Sequence, residues 1–472
     1  MLINSNFNIN VKSIEEFARV AVPEALDKNI NITHIESNNN ISIIMEIDNK
    51  KQTFTYNNLH EKIDDQKITM IKILLLIFYD KNYPWGSLIG VRPTKIVRRL
   101  LGYSCTIPEI KEILHDFYLV TKEKVDLLVD VVLTEEKLLN KDFINIYVGI
   151  PFCPTKCTYC SFASYEINSG VGRFYDDFIN TLLEEVKMVG IYLKENNHRI
   201  ESLYIGGGTP SVLKEKDLEN LLGQIRKYID FTHMKEFTLE AGREDTLNIE
   251  KLQIMKDYGV RRISLNPQTF NKKTLKNINR NFDHEHFNNI YNFSKNLDFI
   301  INMDLILGLP NENTDDILYT LNEISKYDID NLTIHSLAFK RKSNLFKGNQ
   351  TRETLDQNII NKKIQEIVAL KKMKPYYLYR QKNIMDWGEN IGYAKEGLES
   401  LFNIEMIEEN QITIGLGGGA ISKFISLDQN NRDYIERIVN PKDPALYIKE
   451  MKIRNLEKFA KLEKIMGNLS LK

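Results

Sequence analysis

Three of the four cysteines in this chain stand together as Cys153-Pro-Thr-Lys-Cys157-Thr-Tyr-Cys160, a Cys-x3-Cys-x2-Cys spacing. Soft thiolates placed this close repel one another unless a metal neutralises them. A structural zinc ion normally takes a fourth Cys or His nearby, and none occurs between Ser161 and Asn197. Three thiolates suit a [4Fe–4S] cluster better, with one iron left open to a chelating ligand. Pro151 and Pro154 place the cysteines on a loop rather than a helix. The plain alternative is a set of incidental core thiols. Cys105 stands far from the group and reads as a buried structural thiol.

Further polar and glycine residues fall where strands are expected to end. Gly206, Gly207 and Gly208 follow the apolar run Ser202–Ile205 directly, and glycine lets a backbone approach a ligand closely. Taken alone, three glycines also suit a tight turn. Glu240 follows Phe-Thr-Leu, Gln268 follows Ser-Leu-Asn-Pro, and Asp304 lies within Asn-Met-Asp-Leu-Ile. At the carboxyl ends of α/β strands such residues are more often site residues than core, although any one of them could cap a helix.

The elements that must hold these residues are legible as periodicity. Apolar β-rich runs recur at 144–150, 202–205, 236–239, 262–265, 300–306 and 332–337. Helical patterns follow the first five at 174–194, 215–228, 249–258, 284–295 and 315–326. Continuous rather than alternating apolar strands imply a parallel sheet covered by helices, here a partial six-unit barrel of α/β class. Before it, residues 30–48 and 52–56 suggest a hairpin, with helical periodicity over 67–81 and 121–139. We therefore expect an N-terminal α/β domain over 1–140, a core domain over 141–345, and a third, smaller unit over 346–472. Gly415-Leu-Gly-Gly-Gly-Ala420 lacks the βαβ context and downstream acid of a dinucleotide loop, and is expected to let a C-terminal segment pack closely.

Composition narrows the class. Of 472 residues, 42% are hydrophobic and 27% charged, with 63 Lys+Arg against 64 Asp+Glu, an ordinary globular balance. A net charge of -1 supplies no global field for nucleic acid, so no nucleic-acid partner is expected. The first residues lack the basic region and cleavage site of a secretory signal, and the apolar run Ile71–Phe78 is too short to span a bilayer. A cytoplasmic location with no membrane span is the expectation. Lys340-Arg341-Lys342 and Arg380 with Lys382 offer cations after the sixth strand, where they would either hold carboxylates or form a solvated face.

The cysteine loop, with the aromatic Tyr159 just before its third Cys, resembles the signature of the radical S-adenosylmethionine (SAM) superfamily. The longer stretch Tyr147-Val-Gly-Ile-Pro-Phe-Cys153, followed by Gly206-Gly-Gly-Thr-Pro210, resembles the oxygen-independent coproporphyrinogen III oxidases within it. Val91-Arg-Pro-Thr-Lys95, Tyr376–Lys382 and Gly415–Ala420 resemble the HemZ-type branch. The resemblance implies that Cys153, Cys157 and Cys160 hold a [4Fe–4S] cluster, which cleaves SAM to a 5'-deoxyadenosyl radical. It further implies SAM contacts at Gly207, Gly208, Thr209, Glu240, Gln268, Arg280 and Asp304. Tyr147 would sit beside the cluster in a catalytic role, with Tyr159 as the aromatic of the signature. Two departures stand out: Phe162 occupies a position where decarboxylating members carry another Cys, and Gly149 replaces the His of their Tyr-x-His-Ile-Pro motif.

The implied activity is oxidative decarboxylation of coproporphyrinogen III to protoporphyrinogen IX. Its partners would be a tetrapyrrole, held in part by Arg341 and Arg380, and an electron donor such as flavodoxin or ferredoxin. Two other readings stay open, a haem-binding chaperone and a radical SAM methyltransferase acting on haem.

Overall fold

The structure is a computed structural model that describes residues 1–37, 39–59, 62, 63, 65–162, 164–338, 355–381, 388–427 and 433–469. Two compact units emerge. The first comprises Met1–Thr134 with short segments around Leu378 and Glu389. Strand β1 (Leu2–Ser5) pairs parallel with β2 (Asn29–Ser37), and β3 (Asn40–Ile47) and β4 (Lys50–Asn57) complete an antiparallel meander. Helix α1 (Val11–Ala21) is capped by Asn10, whose side chain accepts the Ser13 N–H. It buries Ile14, Phe17, Ala18 and Ala21 at helical spacing. The helical periodicity expected over 67–81 is α2 (Gln66–Phe78), followed by α3 (Thr94–Gly102), α4 (Ile107–Glu112) and α5 (Lys122–Glu135).

In the second unit, β5 (Ile144–Ile150) starts an eleven-stranded sheet. The short strands β6 (Phe152–Cys153) and β7 (Tyr165–Glu166) pair separately. Then come α6 (Tyr175–Glu195), β8 (Ile200–Gly207), α7 (Glu215–Tyr228), β9 (Glu236–Leu239), α8 (Ile249–Asp257), β10 (Arg262–Ser264), α9 (Lys272–Asn277), α10 (His284–Asn296), β11 (Ile300–Leu307), α11 (Thr314–Ser325) and β12 (Asn331–Ser336). The six expected strands β5, β8, β9, β10, β11 and β12 lie side by side in that order, all parallel. Burial on both faces explains their continuous apolar character: Ile144, Ile146, Val148 and Ile150 of β5 are all core.

The expected third unit over 346–472 is not separate. After α12 (Gln357–Leu370), β13 (Met373–Tyr379) and β14 (Asn390–Lys395) extend the sheet beyond β12, with β14 antiparallel to it. After α13 (Leu401–Glu408), β15 (Ile412–Gly417) adds parallel to β5, and β16 (Ile421–Leu427) and β17 (Asp433–Val439) follow antiparallel. Helix α14 (Pro444–Leu469) packs on α6. The strand order is open, with β13 and β17 at its edges. The glycine cluster is thus largely a buried strand: a Cβ at Gly149 would come within 2.7 Å of the Gly418 carbonyl oxygen, so β5 and the glycine stretch fit only without side chains there. Among the described residues, no helix is long and apolar enough to cross a membrane.

Candidate active site at the carboxyl ends of the parallel strands

The cysteine loop leaves β5 through Pro151 and is fixed from three sides. From β8, the Gly208 N–H donates to the Ile150 carbonyl at 2.7 Å and Thr209 N–H to Phe152 at 2.8 Å, while Thr209 Oγ1 lies 3.5 Å from Cys153 Sγ. After β9, Arg243 donates to Thr155 Oγ1 at 2.9 Å and reaches Cys157 Sγ at 3.9 Å, itself held by Asp245. After α9, the Ile278 carbonyl accepts Thr158 N–H at 3.1 Å and Asn279 Nδ2 donates to the Lys156 carbonyl at 3.0 Å. Cys153 and Cys157 are buried and Cys160 is half-buried.

These thiols fit an iron–sulfur cluster. Burial pushes the Cys153 and Cys160 thiols up, against donors from Thr209 and Ser164 and from the Phe162 amide. They become thiolates only when a metal offsets that burial. Among the described residues, no three His, Cys, Asp or Glu side chains converge as one ion would need. A cubane instead takes each thiolate at a separate iron. A Cβ at Gly208 would run into the Phe152 carbonyl and lie 3.0 Å from Cys153 Sγ, so glycine there lets β8 support the loop. Gly207, at φ +114°, adopts backbone that favours glycine.

The polar residues named from the sequence gather at the same strand ends. Glu240 accepts Tyr204 OH at 2.7 Å and the Gly207 N–H at 3.2 Å, and burial raises its carboxyl to about 7 against those hydrogen bonds. Asp304 accepts Asn266 Nδ2 at 2.7 Å and Asn302 Nδ2 at 2.8 Å, with His335 Nε2 at 3.9 Å. Burial alone would raise its carboxyl, yet His335, Asn302 and Thr333 hold it below the usual range. Gln268 sits at φ +65°, uncommon for a residue with a side chain, and its buried Oε1 has no partner among the described residues. The Arg280 guanidinium ties the loops after β9 and β10 by donating to the carbonyls of Gly242 and Asn266, and its buried Nε–H has no partner among the described residues.

Tyr147 packs against a stacked pair formed by Tyr204 of β8 and Phe402 of α13, whose rings lie 4.5 Å apart, with its own ring 6.3 Å from Tyr204 and 5.7 Å from Phe402. Burial holds its hydroxyl far above the usual range. Tyr159 packs beside Leu275, Ile278 and Leu309. Arg341 lies outside the described residues. Arg380 does not have the role expected of it: it is buried in the first unit, where it donates to the Leu88 carbonyl and its guanidinium lies 5.3 Å from the Trp85 ring. That packing removes it from the set of substrate cations.

Sequence reading missed Tyr204, Arg243, Asn266 and His335. Arg243, in Ala-Gly-Arg-Glu-Asp directly after a buried strand, carried a signal in its charge. Asn266, two residues before Gln268, carried one in its position.

Residues 147–324 match the model of the radical SAM superfamily. Over 391 residues the chain is 37% identical to the oxygen-independent coproporphyrinogen-III oxidase-like protein HemZ of Bacillus subtilis, covering 81% of this chain and 77% of that one. It is 30% identical to the heme chaperone HemW of the same organism over 58% of this chain and 70% of the other. The coproporphyrinogen III oxidase HemN of Escherichia coli shares the fold, with a TM-score of 0.51, 18% identity and coverage of 67% and 70%. Radical SAM proteins use a [4Fe–4S] cluster and SAM, so these are the cofactors of the protein. The matched domain, the identity shared across most of both chains and the fold together make this chain a member of the radical SAM superfamily and, within it, of the oxygen-independent coproporphyrinogen-III oxidase-like family that includes HemZ.

Proposed function

We propose that the protein is a radical SAM oxidoreductase that converts propionate side chains of coproporphyrinogen III to vinyl groups. The observation that supports it best is the gathering of three thiols, the Gly207–Thr209 turn, Glu240, Gln268 and Asp304 toward one end of the six parallel strands, in a chain 37% identical to an oxidase-like relative. When bound, the cluster and SAM supply a hydrogen-abstracting 5'-deoxyadenosyl radical.

The residues of this chain divide the remaining work. Cys153, Cys157 and Cys160 ligate, and Arg243 beside Cys157 tempers the negative charge of the ligand set. The Glu240 carboxylate suits the ammonium of SAM, which only donates, and Gly207 lets that end approach the strand. Asp304, held ionised, suits paired hydroxyls, while the unpartnered Gln268 Oε1 and Arg280 Nε offer one acceptor and one donor. Tyr159 and Tyr147 would lie beside the bound cofactor, and the apolar faces of Tyr147, Tyr204 and Phe402 would keep water from it. At each propionate the substrate loses one hydrogen atom, one electron to a one-electron acceptor, and carbon dioxide.

Anaerobic protein with its cluster reconstituted, given SAM, dithionite and coproporphyrinogen III, should form 5'-deoxyadenosine and protoporphyrinogen IX. Deoxyadenosine formation without decarboxylation would assign the chemistry to a different substrate.

A second reading, a haem-binding chaperone, is favoured by the HemW relatives and by the half-buried imidazole of His335 beside Asp304. It requires stoichiometric haem binding that His335→Ala abolishes, with no tetrapyrrole turnover.

A further inference from the structure

We infer that the Arg243–Asp245 ion pair, turned with its positive end toward Cys157, sets how readily the cluster accepts an electron; this rests on the radical SAM reading above and deepens it. Arg243 follows the end of β9 after Ala241 and Gly242, and its side chain is only 5% exposed. The guanidinium divides its donors between two sides. Nε and Nη2 hold the two oxygens of Asp245 at 2.9 and 2.5 Å, while Nη1 donates to Thr155 Oγ1 at 2.9 Å and lies 3.9 Å from Cys157 Sγ. The cation thus stands between the sulfur and the carboxylate. Asp245 is 25% exposed, so water screens its charge, whereas the guanidinium acts in a drier setting where charge reaches further.

Holding the loop does not by itself call for this cation. The Lys156 N–H is already taken by Glu166 Oε1 at 3.0 Å, and the Lys156 carbonyl by Asn279 Nδ2 at 3.0 Å. The three thiols also differ in what faces them. Cys153 meets the Thr209 and Ser164 hydroxyls and Cys160 the Phe162 amide, all neutral donors, whereas Cys157 faces a buried guanidinium. Reduction moves one electron from a one-electron reductant, which is oxidised, into the cluster, and no atom is transferred. The reduced cluster is more negative by one charge, so a cation beside a ligand sulfur favours it and raises the potential. Asp245 works in the opposite sense from the far side of the guanidinium. Lysine could not fill both roles, because a single ammonium lacks the planar fork that satisfies a carboxylate and still presents a donor elsewhere.

The test uses full-length protein with its cluster reconstituted and no SAM, titrated anaerobically with dithionite and redox mediators while the EPR signal of the reduced cluster is followed. In Arg243→Gln the ratio of reduced to oxidised cluster at a fixed potential should fall about tenfold, which is a midpoint about 59 mV lower. Asp245→Asn should move the midpoint the other way, and the double variant should return toward wild type. Arg243→Lys, which keeps the charge but not the fork, should fall between wild type and Arg243→Gln. Each signal is normalised to iron and acid-labile sulfide; if Arg243→Gln holds no cluster, the upward shift in Asp245→Asn, where the guanidinium stays, decides. Shifts of the same sign in both single variants, or none in Asp245→Asn, would make the pair a loop clamp alone and overturn the inference. Wild-type protein that assembles no reducible cluster would instead refute the radical SAM reading, and the inference with it.

Discussion

The Glu240 carboxylate accepts the main-chain N–H of Gly207 at 3.2 Å, so the end of β9 is joined to the glycine turn of β8 through a group that titrates near neutrality. An empty site therefore carries an unfavourable charge at working pH, and SAM, bringing an ammonium, relieves it.

The sign of that effect gives the first prediction. Below the ordinary value of 4.5 the carboxyl is protonated in the folded and unfolded chain alike. Between there and about 7 only the folded state keeps the proton, so stability falls as pH rises and stays lowered above that range. The loss is up to about 3 kcal/mol. Thermal unfolding of cofactor-free protein from pH 5 to 8 should show wild type losing ground to Glu240→Gln, and parallel curves would contradict it. SAM affinity of the wild type should rise over the same window, while Glu240→Gln binds weakly throughout.

A second carboxylate does structural work. Glu185 on α6 and Lys458 on α14 are both fully buried and meet at 3.0 Å, with Glu185 also accepting Gly417 N–H and Tyr447 OH and Lys458 donating to the Gly415 carbonyl. This pair clamps the glycine strand that lies beside β5. Lys458→Met strands a buried charge and should cost about 3–5 kcal/mol in urea unfolding. Glu185→Gln combined with it should recover part of the loss.

The contrast between those two carboxylates tracks what could be read from sequence. The six central strands were legible because burial on both faces makes them continuously apolar. Strand β15 was not, because Ile-Thr-Ile-Gly-Leu-Gly reads as the start of a loop until Gly149 is placed against Gly418. Arg380 looked like a free cation because its partners, Leu88 and Trp85, lie almost three hundred residues earlier. Glu240 and Gln268 were readable as polar residues shortly after apolar strands, and Asp304 as a lone acid inside one. His335, at the end of an ordinary strand, announced nothing beyond its type.

The ligand set is tested by separating Cys105 from the other three. Cys105 is buried in the first unit, so Cys105→Ala should keep iron and acid-labile sulfide at wild-type content. Cys157→Ala should lose most of the iron and all 5'-deoxyadenosine formation. Iron loss in Cys105→Ala matching that in Cys157→Ala would overturn the assignment.

Two glycines separate support of the cluster from support of the sheet. A methyl group at 208 meets the Phe152 carbonyl and Cys153 Sγ, both on the cysteine loop, so Gly208→Ala should displace the Cys153 thiol. A methyl group at 149 meets the Gly418 carbonyl at 2.7 Å, where β5 runs into the glycine stretch. Overpacking of this kind costs roughly 1–3 kcal/mol in either place, so unfolding alone cannot tell the two apart. Iron per folded molecule can: it should fall in Gly208→Ala and hold in Gly149→Ala, with SAM cleavage following the iron. Equal iron in both variants would mean that the β8 turn is a spacer between strands and does not position Cys153.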